Sequence, residues 1–288
     1  MRKLRIAAPL GFQTASKEDI SAFIRAGLQT HKDLGFDCAD FSTPLLDLAG
    51  TGWKAQAEQA LADSHTIGMP LAVAHLPYVK GGCSHMPAEF HEAFAKKMCN
   101  AIEAAALLGV ECAVLHTSTG TMPLRDFDFN KELEWVKGHI APFAEHAAKH
   151  GLKLVVENMP VIPGNPVTRR FSQSSEDICA VADYFGLGIC WDFGHANVSG
   201  GHQSEHLAYI GDRLKMVHVH DNCGMADQHN PPFTGTVDWQ DAMSGLEKIG
   251  FRGVFDMELS PGKIPAPVRM AYGRLAVEAA DQLMEYMK

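Results

Sequence analysis

The chain has 288 residues, 46% of them hydrophobic and 20% charged, with a formal net charge of −9. That length fits one large core, because α/β barrels commonly run to ~250 residues without splitting. The acidic total disfavours a nucleic-acid partner, whose binding draws on Lys and Arg to neutralise phosphates, and no apolar stretch approaches the ~20 residues that cross a bilayer.

Strand-like and helix-like runs alternate from end to end. Residues 5–10 (RIAAPL) form a first strand; the basic start before it carries too short an apolar stretch for a signal segment. Ser16, with Asp19 three residues on, opens a first helix in the manner of a capping box. A second strand covers 36–42 and a helix lies near 53–67. The third strand ends on His75, and a long helix over 87–108 spaces Phe90, Phe94, Met98, Ile102 and Leu107 along one face. The fourth strand ends on His116, with a helix near 129–149 that stops before Gly151. The fifth ends on Glu157, and Ser174 with Asp177 caps the helix after it. The sixth ends on Asp192, before a short helix near 203–212. The seventh ends at His218–Asp221, and Asp238 caps a helix near 239–249. The eighth ends on Glu258, and a last helix covers about 267–287.

Eight such units, joined by right-handed crossovers, predict a single-domain (β/α)8 barrel, a TIM barrel, over 1–288. Long loops near 77–86, 117–128, 159–174 and 219–237 follow the C-terminal ends of strands, the face on which barrel enzymes build their sites. The seven cysteines are scattered and lack a C-x-x-C pair, which points to a reducing cytoplasm and no disulfide framework.

The chemistry lies in how the strands end. Glu157, Asp192, His218 and Glu258 each close an apolar run on four adjacent strands, so their side chains converge at one mouth of the barrel. Three carboxylates and one imidazole make an oxygen-rich site suited to Mn²⁺, Mg²⁺ or Co²⁺, with Zn²⁺ also admitted. His75 and His116 end strands three and four, and His195 stands three residues beyond Asp192; all three could face substrate. Asp227 and His229 form a D-x-H pair in the loop after the seventh strand. His220, two residues on, is expected to turn away from the site, which leaves His218 as the ligand and Asp221 as support for the loop or a ligand. Arg169 and Arg170, after strand five, could meet a substrate phosphate, although an exposed basic pair is the commoner explanation.

The segments LVVENMP, WDFGHAN, VHVHDN with its following D-x-H, and MELS resemble those of the xylose isomerase-like barrel superfamily, over nearly the whole chain. That group includes sugar isomerases, ketose 3-epimerases, inosose dehydratase-type enzymes and endonuclease IV-type abasic-site nucleases. In the epimerase branch the resemblance implies one divalent ion on Glu157, Asp192, His218 and Glu258. The two glutamates then also act catalytically, moving protons through a metal-stabilised enediolate of a ketose or polyol, and His195 helps hold the substrate. Barrels of this group often pair, so a homo-oligomer is compatible with the chain, although no surface marks an interface.

One departure is that 219–237 contains no Arg or Lys where ketose epimerases usually carry an Arg for substrate; isomerisation, or dehydration by an inosose dehydratase-type lyase, stays open. In the nuclease branch, three zinc ions would use the additional ligands His75, His116, His195, Asp227 and His229 beside the first four. Against that alternative stand loops poor in base, with chiefly Lys80, Arg125, Arg169, Arg170 and Lys263. Sugar isomerase or epimerase chemistry is therefore the favoured expectation.

Overall fold

A computed structural model describes residues 2–13, 17–160, 168–261 and 264–287. Eight strands form one sheet: β1 (Arg5–Ala7), β2 (Ala39–Ser42), β3 (Leu71–His75), β4 (Cys112–Leu115), β5 (Leu154–Glu157), β6 (Gly188–Asp192), β7 (Leu214–His218) and β8 (Val254–Asp256). All seven pairings within it are parallel, in the order β1-β8-β7-β6-β5-β4-β3-β2. The Asp40 amide donates to the Ala8 carbonyl at 3.0 Å, bringing β2 back to β1 and rounding the sheet into a barrel.

Helices α1 (Ile20–Leu34), α2 (Trp53–Ile67), α3 (Ala88–Leu108), α4 (Phe129–Lys149), α5 (Ser175–Phe185), α6 (Phe193–Ser199), α7 (Gln203–Ile210), α8 (Trp239–Lys248) and α9 (Ala266–Met284) fill the crossovers. Ser174 and Asp238 cap α5 and α8 as the sequence suggests, accepting from the amides of Asp177 and Asp241. Asp19 itself caps α1, accepting from the Ala22 amide at 3.0 Å; Ser16 lies outside the described residues. The short α6 was not expected. It forms because Asp192, at the end of β6, accepts from the His195 amide at 2.6 Å and so starts a helix directly off a strand.

The placement of the site follows from strand alternation. Cys38, Val73, Cys112, Val114, Val155, Cys190, Met216 and Val254 form a buried apolar plug inside the barrel. Side chains repeat on one face every two residues. Two residues beyond Cys38, Val73, Val114, Val155, Cys190, Met216 and Val254 stand Asp40, His75, His116, Glu157, Asp192, His218 and Asp256. A ring of ionisable groups therefore rests directly on the plug, at the C-terminal mouth. A larger apolar layer packs the outer face of the sheet against the helices.

Two strand ends differ from expectation. β4 stops at Leu115, with His116 the next residue, and β8 stops at Asp256, two residues short of Glu258. Beyond β8 the chain tightens, with the Glu258 amide donating to Asp256 O (3.0 Å) and the Leu259 amide to Met257 O (2.8 Å), so Glu258 sits one layer above Asp256. The loops after β4 and β5 also pair, Thr121–Pro123 antiparallel to Thr168–Arg170, in a ribbon over the mouth that no periodicity announced. None of the seven cysteines forms a disulfide. No helix among the described residues is long and apolar enough to cross a membrane.

Candidate metal centre at the barrel mouth

The expected four-residue set assembles. Ligand atoms of Glu157, Asp192, His218 and Glu258 all lie within 4.8 Å of one another. His218 Nδ1 is central, 3.1 Å from Glu157 Oε1, 3.2 Å from Glu258 Oε2 and 3.7 Å from Asp192 Oδ2. Glu157 Oε2 and Glu258 Oε2 are buried without an aligned hydrogen bond to any described residue, as oxygens reserved for a cation would be.

Beside this set lie the histidines of the neighbouring strands. His116 Nε2 is 2.8 Å from Glu157 Oε2. The His75 ring stacks on His218 at 4.8 Å, and its Nδ1 is 2.9 Å from Asp40 Oδ2. On the other side, His195, His220, Asp227 and His229 also bring ligand atoms within 4.8 Å of one another. Asp227 Oδ2 reaches His229 Nε2 (3.2 Å) and His195 Nε2 (3.4 Å), so the D-x-H pair does face the site.

His220 corrects the sequence reading. Residues two apart on a strand share a face, so nothing turns His220 away from the mouth: its Nε2 is 3.1 Å from Asp192 and its ring stacks on His229 at 4.0 Å. Gly194 makes room for that ring, since a Cβ there would lie 1.9 Å from His220 Cε1. Asp221 takes the supporting role, accepting from the amides of Asn222 and Val237 and from Trp239 Nε1.

Three buried groups were not singled out beforehand. Asp40 orients His75. Asp256 lies 3.8 Å from His218 Nε2 with neither carboxyl oxygen hydrogen bonded among the described residues; burial, with Asp40 nearby, holds its pKa well above the usual range. Asn158 stands in for a missing rung of the sheet. Its Oδ1 accepts from the Asp192 amide at 2.6 Å, its Nδ2 donates to the Asp192 carbonyl at 2.9 Å, and its own carbonyl accepts from His195 Nδ1 at 2.7 Å. The alternation from Cys38 and Val254 could have found the two aspartates; nothing local could have found the amide.

The electrostatics are those of a self-compensated site. Burial alone would raise Glu157, but His218 and His116 hold its carboxyl well below the ordinary range. Burial likewise opposes ionisation of Asp192, which His195 and His220 overcome. Burial would lower His75 and His195, but Asp40 lifts the first to about 9, and Asp192 with Asp227 lifts the second to about 10. These are charges held apart from water by their partners, which a divalent cation could replace at the cost of releasing protons.

Above the ring opens a cavity of ≈ 560 Å³ lined by His75, Tyr78, Lys80, His116, Arg170 and Glu258 among others. Tyr78 stacks on His116 at 4.6 Å and is 55% exposed, forming part of the rim. Arg170 is turned inward by the ribbon, its Nε donating to Thr119 O at 3.0 Å, whereas Arg169 pairs with Asp177 (2.7 Å). The two arginines are therefore not an exposed pair. Arg125 remains exposed, and Lys263 lies outside the described residues.

Residues 28–286 match the xylose isomerase-like TIM barrel family. The chain belongs to that family. It is 30% identical over 189 residues to an uncharacterized protein of Methanocaldococcus jannaschii, covering 65% of this chain and 63% of that protein. It is 27% identical over 166 residues to an uncharacterized protein of Sinorhizobium fredii, covering 55% of this chain and half of that one. The chain thus spans under two thirds of the length of these relatives. Similar solved folds include a D-tagatose 3-epimerase-like protein (TM-score 0.74, 20% identity, 98% of this chain and 97% of that one). A 3-keto-D-glucoside 4-epimerase of E. coli is also similar (TM-score 0.70, 20% identity, 94% and 99% covered).

Proposed function

We propose that the protein is a divalent-metal-dependent isomerase or epimerase of a small ketose or polyol. The observation that carries this reading is the meeting of Glu157, Asp192, His218 and Glu258 within 4.8 Å, with Glu157 and Glu258 lining a cavity of ≈ 560 Å³. Those four residues would hold the ion, and their oxygen-rich donor set fits Mn²⁺, Mg²⁺ or Co²⁺ best, with Zn²⁺ admitted. A bound cation there would supply Lewis-acid polarisation of a substrate carbonyl, worth several kcal/mol.

The chain's own groups divide the remaining work. Glu258 is 22% exposed in its side chain and faces the cavity, so its carboxylate takes or returns the carbon-bound proton. Glu157 is buried at 1% and acts from the opposite side of the mouth, with His116 between its Oε2 and the cavity to carry a proton in or out. Arg170 supplies the cationic donor that the loop 219–237 lacks, and Lys80 and His195 complete the polar lining around substrate oxygens. Tyr78 and Met159 add apolar wall and exclude water.

A second reading, a tri-zinc phosphodiesterase acting at abasic sites, draws support from the separate His195–His220–Asp227–His229 cluster and the His75–Glu157–His218 group. The acidic total and a cavity whose described lining holds only one lysine and one arginine, Lys80 and Arg170, weigh against a nucleic-acid strand. Incubation with ketoses and inososes in deuterated water decides between them. Metal-dependent exchange at the carbon beside the carbonyl supports the isomerase reading; absence of exchange, with nicking of an abasic duplex, reverses it.

A further inference from the structure

A different set of metal-grade side chains meets away from the barrel mouth, where the loop after β3 crosses the seam between α3 and α4. Cys83 comes from that loop, His91 from the start of α3 and His139 from the middle of α4, and one ligand atom of each lies within 4.8 Å of the other two. None of the three lines the substrate cavity.

The thiol is held in place by its backbone. Gly81 and Gly82 turn the loop with φ of 83° and 86°, and a Cβ on Gly82 would lie 2.3 Å from Thr119 O. The Cys83 amide then donates to Ser118 O at 2.8 Å, and the residue is fully buried. His139 is equally fixed. Its ring lies parallel to Trp135 at 4.9 Å and to Phe94 at 6.2 Å, with Phe143 edge-on at 5.5 Å. His91 approaches the same ring at 6.2 Å. Within this aromatic clamp His139 Nε2 is buried with no hydrogen-bond partner among the described residues. Buried polar atoms normally find a partner, so an orphaned ring nitrogen beside a thiol and a second imidazole is a donor suited to a ligand. Burial and His91 push the His139 pKa down to about 4, which leaves its ring neutral and able to donate a lone pair at neutral pH.

We propose that Cys83, His91 and His139 form a binding site for a thiophilic transition-metal ion of the zinc or cuprous class. One thiolate and two neutral imidazoles are a softer donor set than the carboxylates of the mouth, so the two sites select different ions. On binding, the Cys83 S–H proton passes to solvent, the sulfur–metal bond forms, and a fourth position is left to water. The same loop carries Tyr78, Val79 and Lys80 into the cavity wall, so the ion would pin that wall to α3 and α4.

The test uses the full-length protein, stripped with a chelator and titrated with Co²⁺. A thiolate-to-cobalt charge-transfer band should appear in the near ultraviolet, persist in Glu258→Gln, and vanish in Cys83→Ser although the six other cysteines remain. Should Cys83→Ser misfold, His91→Ala at the half-buried start of α3 provides the same reading, with folding checked by circular dichroism. No sulfur band in the wild type, or one undiminished in the folded variants, overturns the proposal. Zn²⁺ should also slow hydrogen exchange across 76–87 in the wild type and not in the variants; equal exchange with and without Zn²⁺ would remove the role in holding the wall.

Discussion

Replacement of Asn158 by Ala tests whether the floor of the site is built as described. The carboxamide pairs both backbone groups of Asp192, at 2.6 and 2.9 Å, in a fully buried position. Its loss leaves the Asp192 amide without a partner and strips one bond from its carbonyl, which as the cap of α6 also receives the first helical amide. Each lost bond costs about 1–3 kcal/mol at a buried group, and entry of a water into the space left by the side chain offsets part of it. A net destabilisation of about 2–4 kcal/mol follows, or roughly 4–8 °C in melting temperature for a domain of this size. Asp192 also anchors the first turn of α6 and belongs to the four-residue cluster, so affinity for a divalent ion should fall with stability. Urea denaturation at fixed metal concentration and calorimetric titration with Mn²⁺ measure the two effects. Stability within about 0.5 kcal/mol of wild type, together with unchanged ion affinity, would refute the argument that this amide completes the sheet.

Glu258→Gln keeps the side-chain volume and removes the charge; deuterium exchange into substrate should fall roughly 10²–10⁴-fold, with weaker ion binding beside it. Arg170→Met removes an inward guanidinium, and loss of a charge-assisted contact of about 1.5–3 kcal/mol should raise KM by roughly 10–100-fold while the fold melts normally. His31 is buried between α1 and the barrel; burial, outweighing carbonyls of Gly27 and Ala8 at 2.9 and 3.0 Å, pushes its pKa down to about 4. Its neutral form is the stabilising one, so unfolding free energy should be constant above the unfolded-state value near ~6.5 and drop as pH falls towards 4. A His31→Gln variant, measured by urea titration across that window, should show a shallower decline.

The barrel and most of its site were legible because β3, β5, β6 and β7 each end an apolar run on a ligand-grade residue, a pattern that one face of a closed sheet must resolve at its mouth. Asp40, inside FDCADFS, carries no local mark of burial, and Asp256 is masked by Glu258, which closes the same run two residues on. Counting by twos from Cys38 and Val254 recovers both. His220 shares the parity of Met216 and His218, so the same counting places it at the mouth as well. The role of Asn158 depends on how far β6 outruns β5, and the orientation of Arg170 on a ribbon formed by two distant loops. Cys83, His91 and His139 come together only through packing of α4 on α3, which no local pattern reports.

The layering of the barrel interior has a consequence for how such a protein changes over generations. The roof of the apolar plug is also the floor on which the ionisable ring stands, and Val155, Cys190 and Met216 are each joined to a ring member by a single intervening residue. A swap of one methylene there re-aims a carboxylate or imidazole without altering any atom that meets a ligand. Selectivity can therefore drift through silent-looking aliphatic positions, which a mutational library confined to the pocket walls would overlook.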